Sequence, residues 1–140
     1  MYVLDQEEAQ GTNVMVCGGI YCVKQDPPQP LVFMAPNDGP YWKWRVGDVF
    51  ECWGLGTGCM MIRTDVFQHL ERPWFKTSSE VGFAETDDLY FCTKVANAGF
   101  KVKAHGGVLC KHWDVKNSLI YTLPKNSYPM GLITKHEELT

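Results

Sequence analysis

The sequence predicts an α/β domain in which short strands alternate with helices. Its 140 residues fit one domain, since domains run to roughly 100–200 residues. Residues 14–23 are rich in β-branched and aromatic side chains, which favours a strand. Residues 86–99 instead place apolar side chains at helical spacing between a Thr and a Gly, which is typical of a capped amphipathic helix. Strands interleaved with helices in this way indicate an α/β fold.

The first part of the chain is predicted to form one helix at 5–10 and two strands at 14–23 and 31–34. The helix is acidic and ends at Gly11. Gly18 and Gly19 mark a bend or a close backbone approach within the first strand. The Pro-rich residues 26–30 separate the strands, because proline has no N–H for pairing. Residues 35–47 are expected to form a long irregular loop, a kind of segment that is often functional.

The second part is predicted to add strands at 48–53, 58–63, 100–104 and 108–112 and helices at 65–70 and after residue 86. Thr64 offers a hydroxyl at the N-cap of the first of these helices. Residues 78–85 are a predicted loop. Thr86 caps the second helix, and Gly99 follows its last turn. Residues 114–140 have weak periodicity and are expected to wrap or extend as a tail.

Composition and charge argue against several classes of protein. Lys and Arg number 13 and Asp and Glu number 16, a net charge of −3, whereas phosphate-driven nucleic-acid binding needs a basic stripe. The longest apolar stretch, Val14–Val23, is shorter than the about 20 residues of a membrane span. No basic region followed by an apolar run opens the chain, so we expect no signal peptide and a cytoplasmic protein. Its six cysteines are then mostly buried thiols.

The acidic pair Asp87-Asp88 opens the predicted helix, and two interpretations stay open. The helix macrodipole alone favours carboxylates at this end. On the helix wheel, however, Asp88 lies three to four residues before Phe91 and Cys92, so its side chain is expected on the inward face. A carboxylate in that position can project into a cleft and accept a proton from a substrate hydroxyl as general base.

The glycine-rich residues 54–58 and several tryptophans are candidates for ligand contact. The segment Gly-Leu-Gly-Thr-Gly matches neither the dinucleotide motif nor the phosphate-binding loop. It forms either a bulged strand or turn, or a floor on which a ligand lies against backbone. Trp53 and Trp74 lie beside predicted loops, where an indole either joins the core or stacks on a sugar ring.

His112 follows the last predicted strand, in the run Cys-Lys-His-Trp-Asp. Histidine is the commonest metal ligand, although a histidine at a strand end often only hydrogen-bonds locally. Cys17 and Cys22 lack the C-x-x-C spacing of zinc and redox sites, and no second pair matches them. A zinc site is therefore not expected.

Seven short motifs follow one another along the chain, namely Cys17-Gly18-Gly19-Ile20-Tyr21, Pro27–Pro30, Gly56–Arg63, Pro73-Trp74-Phe75, Thr86–Cys92, Ala98–Val102 and Cys110-Lys111-His112. Their order and spacing resemble the second half of a glycosyltransferase of the GT-A fold, of the family-2-like kind found in microbes and phages. The resemblance covers about residues 14–113. It implies an incomplete GT-A-like domain, a mixed β-sheet with flanking helices that lacks the N-terminal nucleotide-binding half.

The resemblance also implies an activity and two catalytic residues. The intact enzyme would transfer a sugar from a nucleotide-diphosphate donor to a hydroxyl acceptor. Asp88 would be the catalytic base, and Asp87 would help to position the acceptor. The family usually has Glu-Asp here, so Asp87-Asp88 is a conservative departure. His112 would help to hold a divalent metal, Mn or Mg, that neutralises the leaving diphosphate.

The remaining implications concern the sugar cleft and the extent of the domain. Gly56, Thr57 and Gly58 would line the acceptor and sugar cleft, with Trp53 and Trp74 as platforms for the sugar. Residues 1–140 would be one partial domain with its core at about 14–113 and a tail at 114–140. Such a part would be inactive alone, and its exposed sheet edge would favour a homodimer.

Two other classes of protein stay open from the sequence. The first is a non-catalytic carbohydrate- or protein-binding module that keeps a remnant of the GT-A fold. It would bind glycans without a metal and without the Asp88 carboxylate. The second is a cysteine-based metal or redox protein, which would hold a metal or lack free thiols.

Overall fold

The computed structural model describes residues 2–25, 28–77 and 86–122, together with the backbone of 137–138. The helices of this part are α1 (Tyr2–Ala9) and α2 (Asp87–Asn97), and single 3-10 turns occur at Thr57–Cys59 and Thr64–Gln68. The strands are β1 (Val14–Ile20), β2 (Val32–Phe33), β3 (Val49–Cys52), β4 (Gly54–Leu55), β5 (Met60–Ile62), β6 (Lys101–Leu109), β7 (His112–Asp114), β8 (Leu119–Tyr121) and β9 (Glu137–Glu138). Within the described residues, no helix has the length and apolar character needed to cross a membrane.

The main sheet has four strands in the order β3-β6-β1-β5. β1 runs parallel to β6, with Val16 opposite Val102, and antiparallel to β5, with Val16 opposite Ile62. All seven residues of β1 are buried, which explains why this strand has a nearly continuous apolar sequence. The fold is therefore α/β with a mixed sheet and flanking helices, as the sequence predicts.

The core lies between the main sheet, the small β2-β4 sheet and α2. Phe91 and Val95 on the inward face of α2 are fully buried, as are Ile20 of β1 and Leu55 of β4. Burying a side chain of this size stabilises the fold by about 1.5–3 kcal/mol. The helix that carries Asp88 is thus held against the sheet by its apolar face.

Both helices end where the sequence predicts. Gly11 follows α1 with φ +69°, and Gly99 follows α2 with φ +85°. Past Gly99, the Phe100 N–H donates to the Val95 carbonyl at 3.1 Å, which closes the last turn. α1 begins earlier than predicted, at Tyr2, because Leu4 is buried against the sheet.

The prediction of two separate strands at 100–104 and 108–112 is wrong, since residues 101–109 form the single strand β6. The glycines at 106 and 107 suggest a break, yet the neighbouring segment holds the strand together. The Gly106 N–H donates to the Asp48 carbonyl at 2.7 Å, and a Cβ on Gly106 would lie 2.8 Å from the Arg45 carbonyl oxygen. Close backbone packing requires glycine there without ending the strand.

The helix predicted at 65–70 is a 3-10 turn that starts one residue earlier, at Thr64. Thr64 is therefore not its N-cap. Arg63 occupies that position and makes no capping hydrogen bond through its side chain. Arg63 instead pairs with Glu8 of α1 at 2.8 Å and with Asp65 at 3.0 Å, which ties the turn to the first helix.

Part of the segment predicted as a tail is a β-hairpin. β7 pairs antiparallel with β8, and β8 pairs with β9. Between β7 and β8, Asp114 accepts hydrogen bonds from the Asn117 N–H at 3.3 Å and from its side-chain amide at 2.8 Å, and this amide lowers the pKa of Asp114. The predicted loop at 78–85 and most of the tail beyond 122 lie outside the described residues.

Candidate functional site

Tyr21 directly follows β1 and packs its ring against the glycine-rich segment. Its hydroxyl oxygen accepts a hydrogen bond from the Gly58 N–H at 2.9 Å. A Cβ on Gly56 would lie 2.3 Å from that oxygen, and a Cβ on Gly58 would lie 2.7 Å from the Tyr21 Cζ. The two glycines are thus required by the tyrosine ring that covers them. Thr57 between them is exposed and begins the 3-10 turn.

The carboxylates of Asp87 and Asp88 lie at the start of α2. The Asp88 Oδ1 accepts hydrogen bonds from the Leu89 N–H at 2.8 Å and from the Thr86 hydroxyl. Asp87 is exposed, and its Oδ1 accepts from the Asp88 N–H at 3.0 Å. Thr86 occupies the N-cap as predicted, but its hydroxyl orients Asp88 and caps no backbone N–H. Asp88 is half-buried and held in one orientation.

Tyr21, which packs on the glycine-rich segment, also interacts electrostatically with the acidic pair. Burial raises the pKa of Tyr21, and the negative charges of Asp88 and Asp87 raise it further, while the hydrogen bond from Gly58 acts in the opposite direction. Both carboxylates are therefore within electrostatic reach of the phenol, although they lie far from it in the sequence. Asp88 also raises the pKa of the buried Cys92 below it, after the larger effect of burial.

His112, the first residue of β7, lies on the other side of Tyr21. The two rings are perpendicular, with centroids 5.4 Å apart. The His112 Nδ1 is 2.6 Å from the Cys22 carbonyl oxygen, so Nδ1 carries a proton and donates it there. This hydrogen bond leaves Nε2 as the acceptor nitrogen of the neutral ring.

The described residues do not form a cation site around His112. Among them, no group of three or more His, Cys, Asp or Glu side chains is placed to hold a metal ion. A stable site for Mn or Mg takes several oxygen ligands at short distance. The divalent metal implied by the resemblance stays a prediction.

The contacts that the structure shows for Trp53 and Trp74 are with residues other than Tyr21 and the acidic pair. Trp53 lines a groove of about 310 Å³, together with Met34, Glu51, Cys52, Ala96, Phe100, Lys101 and Val102. Ala96 is two turns beyond Asp88, about 12 Å along the helix at 1.5 Å per residue. Trp74 packs on Phe67 with ring centroids 4.5 Å apart, and its indole N–H donates to the Leu70 carbonyl at 3.0 Å.

Gly56, Gly58 and His112 therefore contact Tyr21, with Thr57 between the two glycines, and the charges of Asp88 and Asp87 lie within electrostatic reach of its phenol. Tyr21 at their centre is predicted only as the last residue of a motif. Its contacts reach residues 37 positions away at Gly58 and still further at His112, so no local pattern announces them. We name this group around Tyr21 the Tyr21 cluster.

A comparison with solved structures shows a likeness of fold. No family model matches the sequence, and the comparison with curated proteins gives no match. Among solved structures, the crystal structure of A197 from STIV is similar over 100% of this chain, with a TM-score of 0.57 and 17% sequence identity. This chain spans 62% of the A197 chain. At such low identity the likeness shows a shared fold and carries no function across.

Proposed function

We propose that this chain is the acceptor-side part of a GT-A-like glycosyltransferase of the family-2-like kind, which lacks the nucleotide-binding half. The intact enzyme transfers a sugar from a nucleotide-diphosphate donor to a hydroxyl acceptor. The observation that carries the proposal is the half-buried Asp88, which hydrogen bonds from Thr86 and Leu89 hold in one orientation and whose charge acts on Tyr21 next to the glycine-rich segment.

In this proposal Asp88 is the general base. Its Oδ1 is occupied by the Leu89 N–H and the Thr86 hydroxyl, whereas Oδ2 accepts no hydrogen bond from the described residues. Oδ2 takes the proton of the acceptor hydroxyl while the acceptor oxygen bonds to the anomeric carbon of the donor sugar. The bond from that carbon to the diphosphate breaks, and its electron pair leaves with the nucleoside diphosphate.

Neighbouring groups set the position of the acceptor. Asp87 is exposed at the rim and can accept a hydrogen bond from a second hydroxyl of the acceptor. Tyr21 closes one side of the site, because its ring lies between the glycine-rich segment and His112. A positioned carboxylate base of this kind contributes about 10²–10⁴-fold to a rate.

The test compares Asp88→Asn with Asp65→Asn, a matched control carboxylate in the first turn of another helical segment. Transfer from a panel of uridine and guanosine diphosphate sugars to methyl glycosides is measured on the longest in-frame product that contains this chain. We expect Asp88→Asn to lose at least about 100-fold in kcat, from the usual contribution of a general base, and Asp65→Asn to keep its rate.

Two outcomes would overturn the proposal. Undiminished sugar transfer in Asp88→Asn would show that Asp88 is not the general base. Absence of transfer, together with glycan binding that persists in Asp88→Asn, would favour the non-catalytic carbohydrate-binding module.

A further inference from the structure

Cys59 and Cys110 differ from the other cysteines in their exposure. Both are half-buried, whereas Cys17, Cys22, Cys52 and Cys92 are buried. Cys22 and Cys92 are completely buried, so a reagent from solution cannot reach their sulfurs in the folded chain. Only the half-buried two of the six can meet a reagent from solution.

These two cysteines reach the same place from opposite sides of β1. Cys59 ends the 3-10 turn before β5, on one side of β1, and a Cβ on Gly19 would lie 3.1 Å from its sulfur. Cys110 follows β6 on the other side, where its N–H donates to the Ile20 carbonyl at 3.0 Å. A Cβ on Gly19 would also lie 2.7 Å from the Val108 carbonyl oxygen of β6, so glycine is needed at this position for the segments of both cysteines to approach β1.

The two thiols interact in that space. Burial, and then a hydrogen bond with Cys59, raise the pKa of Cys110 to about 11. The backbone of Cys59 also approaches β1 closely, since its carbonyl oxygen would lie 2.8 Å from a Cβ on Gly18. Gly18 and Gly19 therefore allow the turn that ends at Cys59 to pack closely on β1, near the segment that carries Cys110.

We propose that Cys59 and Cys110 form a dithiol site that a small-molecule disulfide of the glutathione type converts into an intramolecular disulfide. One cysteine sulfur gives up its proton and attacks a sulfur of the oxidised reagent, which releases one glutathione thiol. The other cysteine then attacks the protein sulfur of the mixed disulfide and releases the second. The protein loses two electrons and two protons, and one oxidised glutathione becomes two reduced molecules.

The location gives the disulfide a structural effect. Cys59 adjoins Gly58, which donates to the Tyr21 hydroxyl, and Cys110 lies two residues before His112. The bond would tie together the two segments that hold the Tyr21 ring. Formation of the bond is independent of the proposed function, and only an effect of oxidation on sugar transfer would rest on it.

The experiment uses the native chain in buffers of increasing oxidised to reduced glutathione ratio. Free thiols are then blocked with N-ethylmaleimide, and intact mass and peptide mapping follow. We expect a loss of two hydrogen atoms and one Cys59–Cys110 cross-linked peptide, while the four buried cysteines are alkylated only after denaturation. Cys59→Ser and Cys110→Ser should each stop at a single glutathione adduct, and Cys17→Ala should still form the bond.

Three results would overturn the proposal. The first is no change in mass at the most oxidising ratio. The second is a wild-type chain that carries only glutathione adducts, which would show that the backbone does not let the sulfurs join. The third is a cross-link between any other pair of cysteines.

Discussion

Replacement of Gly56 by alanine tests the packing at the centre of the Tyr21 cluster. The new Cβ would lie 2.3 Å from the Tyr21 hydroxyl oxygen, and ordinary contacts begin at 3.4 Å. The ring must therefore move by about an ångström, or the turn must move away from it. Overpacking of this kind costs about 1–3 kcal/mol. The movement also weakens the hydrogen bond from Gly58 at 2.9 Å.

The assay is urea unfolding followed by tryptophan fluorescence. Gly56→Ala should lower the free energy of unfolding by about 1–3 kcal/mol with an unchanged denaturant slope. Gly39→Ala is the matched control, because a Cβ there meets nothing within 4 Å and its backbone needs no positive φ. Its effect should stay within about 0.5 kcal/mol.

A second background separates this cause from a general intolerance of the turn. In Tyr21→Ala the ring is absent, so the added methyl of Gly56→Ala should cost much less than in the wild type. The difference between the two costs is the coupling energy of the double-mutant cycle. An equal cost in both backgrounds would refute the reasoning.

Three further predictions concern the pKa values of Tyr21 and Glu7 and their effect on stability. Asp88→Asn should lower the pKa of Tyr21, because a negative charge that raises it is removed, and phenolate absorbance against pH measures the shift. Burial raises the pKa of Tyr21 in the folded state, so the free energy of unfolding should fall as pH rises through and above the ordinary tyrosine value. Urea unfolding at alkaline pH should show a smaller loss of this free energy in Tyr21→Phe than in the wild type. Hydrogen bonds from Lys103 and then Thr12 lower the pKa of Glu7, so its contribution to stability should disappear as pH falls from the ordinary glutamate value through the lowered one. The urea concentration at the unfolding midpoint should therefore depend less on pH over this range in Glu7→Gln than in the wild type.

Local patterns predict the elements whose reasons are local. α2 appears where Thr86 and Gly99 bound an apolar face, and Gly99 takes the positive φ that its place after the helix requires. β1 appears where a run of apolar residues allows burial on both faces. The buried thiols follow in the same way, since Cys17 and Cys92 lie within apolar runs.

Long-range contacts decide the other features. β6 crosses its glycines because the segment before β3 supplies hydrogen bonds and leaves no room for side chains. Trp53 lies beside Ala96 near the end of α2, whereas Asp88 lies at the start of α2, so the two side chains are separated along the helix. No local pattern around either residue in the sequence predicts that separation.

The sequence by itself determined the α/β class, the two helices, the buried central strand and the carboxylate pair at a helix start, because each depends on neighbours a few positions away. Only the tertiary structure decided that Tyr21 contacts the glycine-rich segment and His112 within electrostatic reach of the acidic pair, and that Cys59 approaches Cys110 near Gly19. Those contacts depend on the order of strands in the sheet, which residue spacing along the chain does not encode locally.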